Sequence, residues 1–472
     1  MARIVVVGAG IVGMSTATLL ARDGNDVTVF ERDDGPPPDA AEDAWTSWAR
    51  RGVNQFRLLH YFLPRFRMIV DDELPEVVDA AERLGALRYN PVLLAPRELN
   101  GGERDGDDRF TSVTGRRPVM EAAVASVAAE TAGLTIRRGV AVAGLETGAP
   151  TADGVPHVTG VRTSTGEVIG ADLVVDMTGR RSPLPSWLAA VGARPVEEEV
   201  EDSGFVYYGR HFRSADRSIP PALGGLLQHY ESVSILTLPA DNGTWGVGFI
   251  TSARDAPMRA LRDVDTWSAA LKEFPRVAHW ADGEPLDDTV AVMAKLEDRH
   301  RELFVDGRPV ATGVVAVADS WACTNPSLGR GISIGIMHGL ALRDVLRDQP
   351  VDDPLQLARA WHAKTQETVE PWYRATLRFD RNRLAEMEAE AQGVPYEPGD
   401  PEWEITHALE AAAGQDPDVL RAFLSIAGVT MLPDDVVAQP GVLDKAIELG
   451  AGWRDLPPAG PDRARLLAAI AA

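Results

Sequence analysis

Three glycines and a carboxylate offer the most specific chemistry in this sequence. Gly8, Gly10 and Gly13 stand in the order G-x-G-x-x-G, and Glu31 follows 23 residues after the first of them. Where a strand turns into a helix, each glycine has its own task. The first makes a tight turn, the second lets backbone approach a pyrophosphate, and the third lets helix and strand pack closely. The N-terminus of the following helix adds N–H groups and the positive end of its dipole, both suited to phosphate oxygens. Glu31 ends the next apolar run, where a carboxylate accepts from both ribose hydroxyls of an adenosine. Ile11, Val12 and Arg32 flank these groups and complete the nucleotide end. NAD and FAD both use this unit, so it does not choose between them.

A second constellation, far downstream, makes the choice. Asp319 closes the apolar run GVVAVAD, and Pro326, Gly329, Gly331 and Ile332 follow as another helix opens. An aspartate at a strand end is placed to accept from a ribityl hydroxyl. The glycines allow backbone N–H groups to approach a flavin ring and its pyrophosphate. A nicotinamide dinucleotide has no use for a second junction of this kind. FAD, with an adenosine end and a long ribityl-isoalloxazine end, does.

The elements that must position these groups are readable from apolar periodicity. IVVV at 4–7 is a strand buried on both faces, and MSTATLLARDG and DVTVFER complete a βαβ unit. Residues 33–43 read as a surface loop, 45–90 carry helical stretches, and 117–132 are strongly helical. LTIRRGVAVAGLE gives one or two strands. A hairpin turning at Thr165-Gly166 then leads into the buried strand LVVDM. Aromatic and β-branched segments over 203–252 predict a mostly antiparallel sheet with one wet face. Residues 313–320 return to a buried strand, GRGISIGIMHGLALRDVLRD is a helix, and 355–472 read as almost wholly helical. The expected fold class is α/β: a Rossmann-like FAD-binding domain with an inserted β-rich substrate domain and a helical C-terminal domain. The expected divisions are 1–75, 110–190 and 300–345 for the FAD domain, 76–109 and 191–299 for the substrate domain, and 346–472 for the helical region.

Bulk properties exclude several classes of function. The chain has 472 residues, 45% hydrophobic and 25% charged, with a formal charge of −23. A field of that sign argues against nucleic acid and anionic membrane as partners, and it makes a bound dinucleotide depend on local positive charge. Its single cysteine, Cys323, precludes an intramolecular disulfide and a multi-cysteine metal site, so no metal is expected. No apolar stretch approaches the roughly 18 residues of a membrane span, and no leader precedes the first strand. A cytoplasmic location is the expectation.

The segments GAGIVG…ER, RRGVNQF…H, DLVVDMTGRRS and ADSWACTNPSLGRG together resemble the flavoprotein monooxygenases of the para-hydroxybenzoate-hydroxylase-type fold. That family also includes epoxidases, flavin halogenases and geranylgeranyl-type reductases. The resemblance spans about residues 1–345. It implies that Arg51 or Arg50 helps to bind FAD, that Arg117 lies near the cofactor, and that Gly179 belongs to its surroundings. Two departures stand out. Many aromatic hydroxylases of this fold have Asp-Gly where this chain has Thr178-Gly179, a motif associated with both FAD and the nicotinamide cofactor. Direct use of NAD(P)H is thereby in question, and a partner flavin reductase becomes an alternative electron source. Close relatives also carry two histidines after the RGV-Q segment; here His60 remains and Leu58 takes the other place.

The expected reaction is hydroxylation or epoxidation of an apolar small organic substrate, with O2 as co-substrate, through a flavin C4a-hydroperoxide that needs a dry pocket. Tyr207, Tyr208, Leu236 and Phe249, with Phe205 and Leu238, are the candidate pocket walls. Alternation leaves open which of Tyr207 and Tyr208 points inward. His60 is the candidate proton carrier, with His211 and His229 behind it. Cys323 is read as small buried filler. The alternatives are an FAD-dependent reductase or dehydrogenase acting on C=C bonds, and a non-catalytic flavin-binding redox sensor. The tryptophan halogenase pattern W-x-W-x-I-P is absent from the chain.

Overall fold

The chain folds around a parallel sheet and a larger antiparallel one. The structure, a computed structural model, describes residues 1–151, 154–455 and 459–471. The first sheet is parallel, in the order Val314–Ala316, Leu173–Asp176, Arg3–Val7, Asp26–Glu31, Leu134–Arg138. Its strands come from four widely separated parts of the sequence. Their continuous apolar runs follow from burial on both faces. The helices Ile11–Arg22, Arg117–Ala129 and Gly331–Asp348 cover one side, and the three-stranded hairpin sheet Val142–Thr147, Val158–Thr163 and Val168–Gly170 lies on the other.

The second sheet is antiparallel: Leu227–Tyr230, Val233–Pro239, Thr244–Ser252, Phe205–Arg213 and Glu284–Pro285, with Ala291–Met293 also paired to the fourth strand. Its central strands are buried on both faces, which corrects the expectation of one wet face. Trp267, Leu271 and Phe274, on and beside the helix Val264–Lys272, pack against Phe212 and Phe249 on one side. Met387 and Leu384 of the long helix Glu370–Ala391 close part of the other. That covering helix comes more than a hundred residues after the strands, so nothing in the strands themselves announced it.

The C-terminal helices divide. Pro354–Thr368 packs on Gly331–Asp348, while Pro401–Ala413, Pro417–Ala427 and Val442–Gly450 form a small bundle with its own core. The last helix, Arg463–Ala471, leaves that bundle and buries Leu466 against the back of the antiparallel sheet. Among the described residues no helix is long and apolar enough to cross a membrane.

Candidate active site

The glycine loop shows three different packing environments. Gly8 has φ +111°, and its N–H donates to the Phe30 carbonyl at 2.8 Å, so the chain turns sharply off the first strand. A Cβ on Gly13 would lie 2.2 Å from the Gly8 carbonyl oxygen, because helix and strand touch there. A Cβ on Gly10 would meet nothing within 4 Å. Space in front of the middle glycine, and none at the third, is what backbone approach to a pyrophosphate requires. No side chain caps the helix that begins at Ile11, so its first N–H groups are free to face that space.

Glu31 closes the second strand. Its Oε2 accepts from the Ala9 N–H at 3.0 Å and from Arg50 at 2.9 Å, and its Oε1 accepts from the Asp33 N–H at 2.9 Å. Arg50 is buried and reaches three carboxylates: Glu31, Asp33 at 3.3 Å and Glu121 at 2.5 Å. It is therefore a clamp on the loop. Arg51, next to it, is exposed, lines the cavity and makes no ion pair among the described residues. Of the two arginines that sequence could not separate, Arg51 is the one with charge to spare for a phosphate. Arg32 lies over Gly52 at the same rim.

At the other end Asp319 follows Ala318, which holds φ +55°, a strained value for a residue with a Cβ. The Ala318 N–H donates to Nδ1 of the buried His338 at 3.1 Å. The His338 ring stacks on Trp361 at 4.5 Å, with its Nε2 3.0 Å from the Thr365 hydroxyl. That stack fixes the turn that presents Asp319. The Asp319 carboxylate lines the cavity with no hydrogen bond or ion pair among the described residues, and burial pushes its pKa up. Gly331 opens the next helix, again without a side-chain cap and with empty space before it. Pro326, Gly329 and Ile332 line the same wall, and Gly179, whose Cβ position is also open, donates to the Ser320 hydroxyl at 2.9 Å. An unpartnered carboxylate, two uncapped helix N-termini and open glycines together fit a dinucleotide with a ribityl chain.

Sequence reasoning missed Arg301. Its guanidinium donates to the Arg180 carbonyl at 2.9 Å and to the Ser320 carbonyl at 2.8 Å, tying the Gly179 and Asp319 loops together. Its partner Glu198 sits on an adjacent strand at 2.7 Å. The only signal was an arginine in a strand of charged residues. Nor did sequence single out Leu59. Its side chain fills a dimple made by Gly209, Gly246 and Gly248, where any Cβ would come within about 3 Å of it, and this pins the 58–61 loop between the two sheets.

Around Thr178, the Asp176 carboxylate accepts from the Thr178 N–H at 3.0 Å and hydroxyl at 2.6 Å, and from the Ser182 hydroxyl. Asp176 is buried and shapes the turn; the cavity receives Thr178 and Arg180 instead.

The histidines are not poised for proton transfer. His60 Nδ1 is 3.0 Å from the Leu58 carbonyl and so carries the proton, which leaves Nε2 to accept from Arg117 at 3.1 Å. Burial and the adjacent guanidinium lower its pKa to about 3. His60 is thus a neutral prop for Arg117, in place of the proton carrier expected. Burial and Arg116 lower His211 to about 3. Cys323 lines the cavity with its thiol pushed up to about 12 by burial, which makes it unreactive.

The predicted pocket walls separate by strand parity. Leu236 and Leu238 line the cavity. Tyr208 and Phe249 are cross-strand partners on the opposite face, in the core under the Val264–Lys272 helix, and are corrected out of the pocket. Tyr207 points to the cavity side but is covered: its hydroxyl donates to Asn325 Oδ1 at 2.7 Å. The Asn325 N–H in turn donates to Asp298 at 2.6 Å, and Ser327 donates to the buried Asp380. Burial raises Asp298 to about 6 and Asp380 to about 8. This network braces the Asn325–Ser327 turn from behind. Tyr61, Phe379, Leu409 and Phe423 supply much of the apolar wall instead, two of them from the C-terminal bundle. Amphipathic helices carry no label for the surface they will face.

Gly8, Glu31, Arg51, Asp319 and Gly331 border the same cavity as Leu236, Phe379, Leu409 and Phe423, a space of about 2460 Å³ that runs to the C-terminal helices. Residues 3–109 match the family model described as FAD dependent oxidoreductase. Protein Rv3254 of Mycobacterium tuberculosis (strain ATCC 25618 / H37Rv) is 27% identical over 380 residues, which are 78% of this chain and 77% of that one. The solved structure of pqsL, a probable FAD-dependent monooxygenase from Pseudomonas aeruginosa, is similar with a TM-score of 0.58 at 16% identity, covering 82% of this chain and 97% of its own. The flavin-dependent brominase Bmp2 gives a TM-score of 0.60 at 14% identity, covering 94% and 98%. At such identities the structural likeness is one of fold, and a fold shared by a monooxygenase and a brominase leaves the reaction open.

Proposed function

We propose that this chain, an FAD-dependent oxidoreductase of the para-hydroxybenzoate-hydroxylase-type fold, is a monooxygenase that hydroxylates or epoxidises a large apolar molecule. The observation that carries the reading is the continuity of the cavity. The groups suited to FAD and an apolar compartment walled by Leu236, Leu238, Phe379, Leu409 and Phe423 border the same space. Its volume is more than twice the about 300–1,000 Å³ of an ordinary ligand pocket, which leaves room for a second large molecule beside a dinucleotide.

FAD, once reduced by an external donor, would supply the activation of O2. Arg51, with the N–H groups after Gly10, would hold the pyrophosphate; Glu31 would take the adenosine ribose; Asp319 would accept from the ribityl chain. Gly331 and its neighbours would offer backbone N–H groups to the flavin end, and Arg117, held by His60, would add positive charge there. The leucines and Phe379 exclude water from the reacting face, which protects a reduced, oxygen-reactive cofactor. Among the described residues no acid–base pair faces the cavity near the flavin loop, so positioning is the protein's main contribution. Electrons come from a partner flavin reductase, because Thr178 offers no carboxylate to a nicotinamide.

Mass spectrometry after reaction under ¹⁸O2 tests the reading. Photoreduced holoenzyme, mixed with labelled oxygen and a library of polycyclic and long-chain compounds, is expected to leave one ¹⁸O atom in a product. Product lacking the label but gaining two hydrogens identifies the C=C reductase instead.

A further inference from the structure

Within the apolar compartment one carboxylate stands without a partner. The helix Pro401–Ala413 turns Thr406, Leu409, Glu410 and Ala413 toward the cavity, a spacing of three and four residues that defines one face. Two ionisable side chains of this helix border the cavity, Glu402 and Glu410, and Glu402 is already engaged by Arg378. Glu410 makes no hydrogen bond or ion pair among the described residues, although its neighbours do. Arg383 is bonded to Glu386 at 2.6 Å, and Glu386 to His407 at 2.8 Å. The other charged groups nearby are therefore already matched to one another. Arg378, also at the wall, is held by Asp400 at 2.7 Å and by Glu402.

A second polar atom borders the same cluster. Arg383 donates to the Ser234 hydroxyl at 3.2 Å, and that hydroxyl lies 2.9 Å from His229 Nδ1. The Ser234 hydroxyl thus links Arg383 to the His229 ring. Both His229 and Glu410 line the cavity. The Glu410 carboxylate lies near His407, Arg383 and Glu386 yet bonds to none of them, and a carboxylate withdrawn from water without a partner costs free energy unless a ligand completes it. Burial, and to a smaller extent the like charge of Glu386, raise the pKa of Glu410, while His407 and Arg383 oppose that rise. A cation is the complement that recovers most, since a charge-assisted hydrogen bond is about twice as strong as a neutral one.

From this placement we infer that Glu410 is the anchor for a basic nitrogen on the substrate, so that the substrate is a bulky apolar molecule with a protonated amine at the end away from the flavin. This inference rests on the proposed reading of the cavity as a substrate compartment. Its chemistry is distinct from that reading, however, because it concerns which handle the compartment holds and leaves open what happens at the other end.

Binding separates the two. The probes are 9-anthracenemethylamine, 9-anthracenemethanol and anthracene-9-carboxylate, titrated into FAD-loaded protein at pH 7.5 and followed by anthracene fluorescence. They share a tricyclic body and differ only in the handle. The amine is expected to bind ten- to hundredfold more tightly than the alcohol, and the carboxylate more weakly than either. In Glu410→Gln the advantage of the amine should fall to within threefold, with the alcohol unchanged. Glu410→Asp should keep part of the advantage. FAD content and melting temperature of each variant show that the compartment is intact. Equal affinity for amine and alcohol in the parent protein overturns the inference, as does an amine preference that survives Glu410→Gln. If the preference holds but no ¹⁸O enters any product, the handle stands and the monooxygenase reading falls.

Discussion

Arg117 donates from Nη1 to Nε2 of His60 across 3.1 Å, while Nδ1 of the same ring faces the Leu58 carbonyl at 3.0 Å. Both ring nitrogens are spent. With its pKa near 3, His60 stays neutral throughout the working range of an enzyme near neutrality. His60→Ala should therefore leave Arg117 held by Glu121 alone, at 3.3 Å, and weaken FAD binding by roughly fivefold, the value of about one hydrogen bond. It should not remove an ionisation from the pH–rate profile between pH 5.5 and 8.5. Loss of an ionisation there would make His60 the proton carrier after all.

Gly10→Val and Gly13→Ala should fail differently. The space before Gly10 is empty, so the valine variant is expected to fold with an unchanged melting temperature as apoprotein and to be colourless. At Gly13 the added methyl meets the Gly8 carbonyl at 2.2 Å, so the fold itself suffers, by about 1–3 kcal/mol. Calorimetry beside flavin absorbance distinguishes the two outcomes. A yellow Gly10→Val protein would remove this loop from the cofactor.

Asp319→Ala should weaken FAD binding by roughly ten- to hundredfold, since a hydrogen bond to a charged acceptor is worth about 1.5–3 kcal/mol. The carboxylate has no protein partner to lose, so the apoprotein should be no less stable than the parent. An unchanged FAD dissociation constant would place Asp319 outside the site.

Asp380 gives a stability prediction with a definite sign. Its pKa is raised to about 8 in the fold, against the ordinary 3.8. Between those values the native state holds a proton that the unfolded chain has released, so its contribution is lost as pH climbs from about 4 to about 8. Asp380→Asn removes this dependence while keeping shape. The variant's melting temperature relative to the parent should rise steadily over that range and level off above pH 8. A difference that does not change with pH would mean that Asp380 is ionised in the fold.

The electron source is tested by anaerobic stopped flow. Asp176 is buried in its own turn and Thr178 faces the cavity, so flavin bleaching by NADPH or NADH alone should be slow or absent. Reduced flavin from a separate reductase should restore oxygen transfer. Bleaching by NADPH alone at ordinary turnover rates, on the order of 1–1000 per second, would return the protein to the self-sufficient hydroxylases.

What the sequence made legible was what short spacing encodes. The strand, the three glycines and Glu31 lie within thirty-one residues, and each glycine's task follows from local geometry. Asp319 was legible for the same reason, at the end of a buried run and before a glycine-rich helix start. The remainder depends on partners distant in the chain. Arg50 and Arg51 are identical as letters, and only the placement of Glu121 and Asp33 tells clamp from free charge. Tyr207 and Tyr208 exchange roles with a one-residue change of register, which the neighbouring strands set. The wall formed by Leu409 and Phe423 was invisible because an amphipathic helix states that it has an inner face and not what lies opposite.

The order of strands in the parallel sheet has a consequence for the nascent chain. Arg3–Val7 pairs with Asp26–Glu31 at once, but its other edge waits for Leu173–Asp176, which in turn waits for Val314–Ala316. At the about 5–20 residues per second of a translating ribosome, Asp319 emerges roughly 15–60 s after Gly10. For the first half of that interval the apolar edge of Arg3–Val7 lies open to pairing with other chains, and for the second half the edge of Leu173–Asp176 does. The dinucleotide, needing both junctions, cannot close either edge early. Flavin capture is thus a late event in the life of each molecule, and slowing synthesis by cooling the culture should raise the yellow, soluble fraction more than adding riboflavin does.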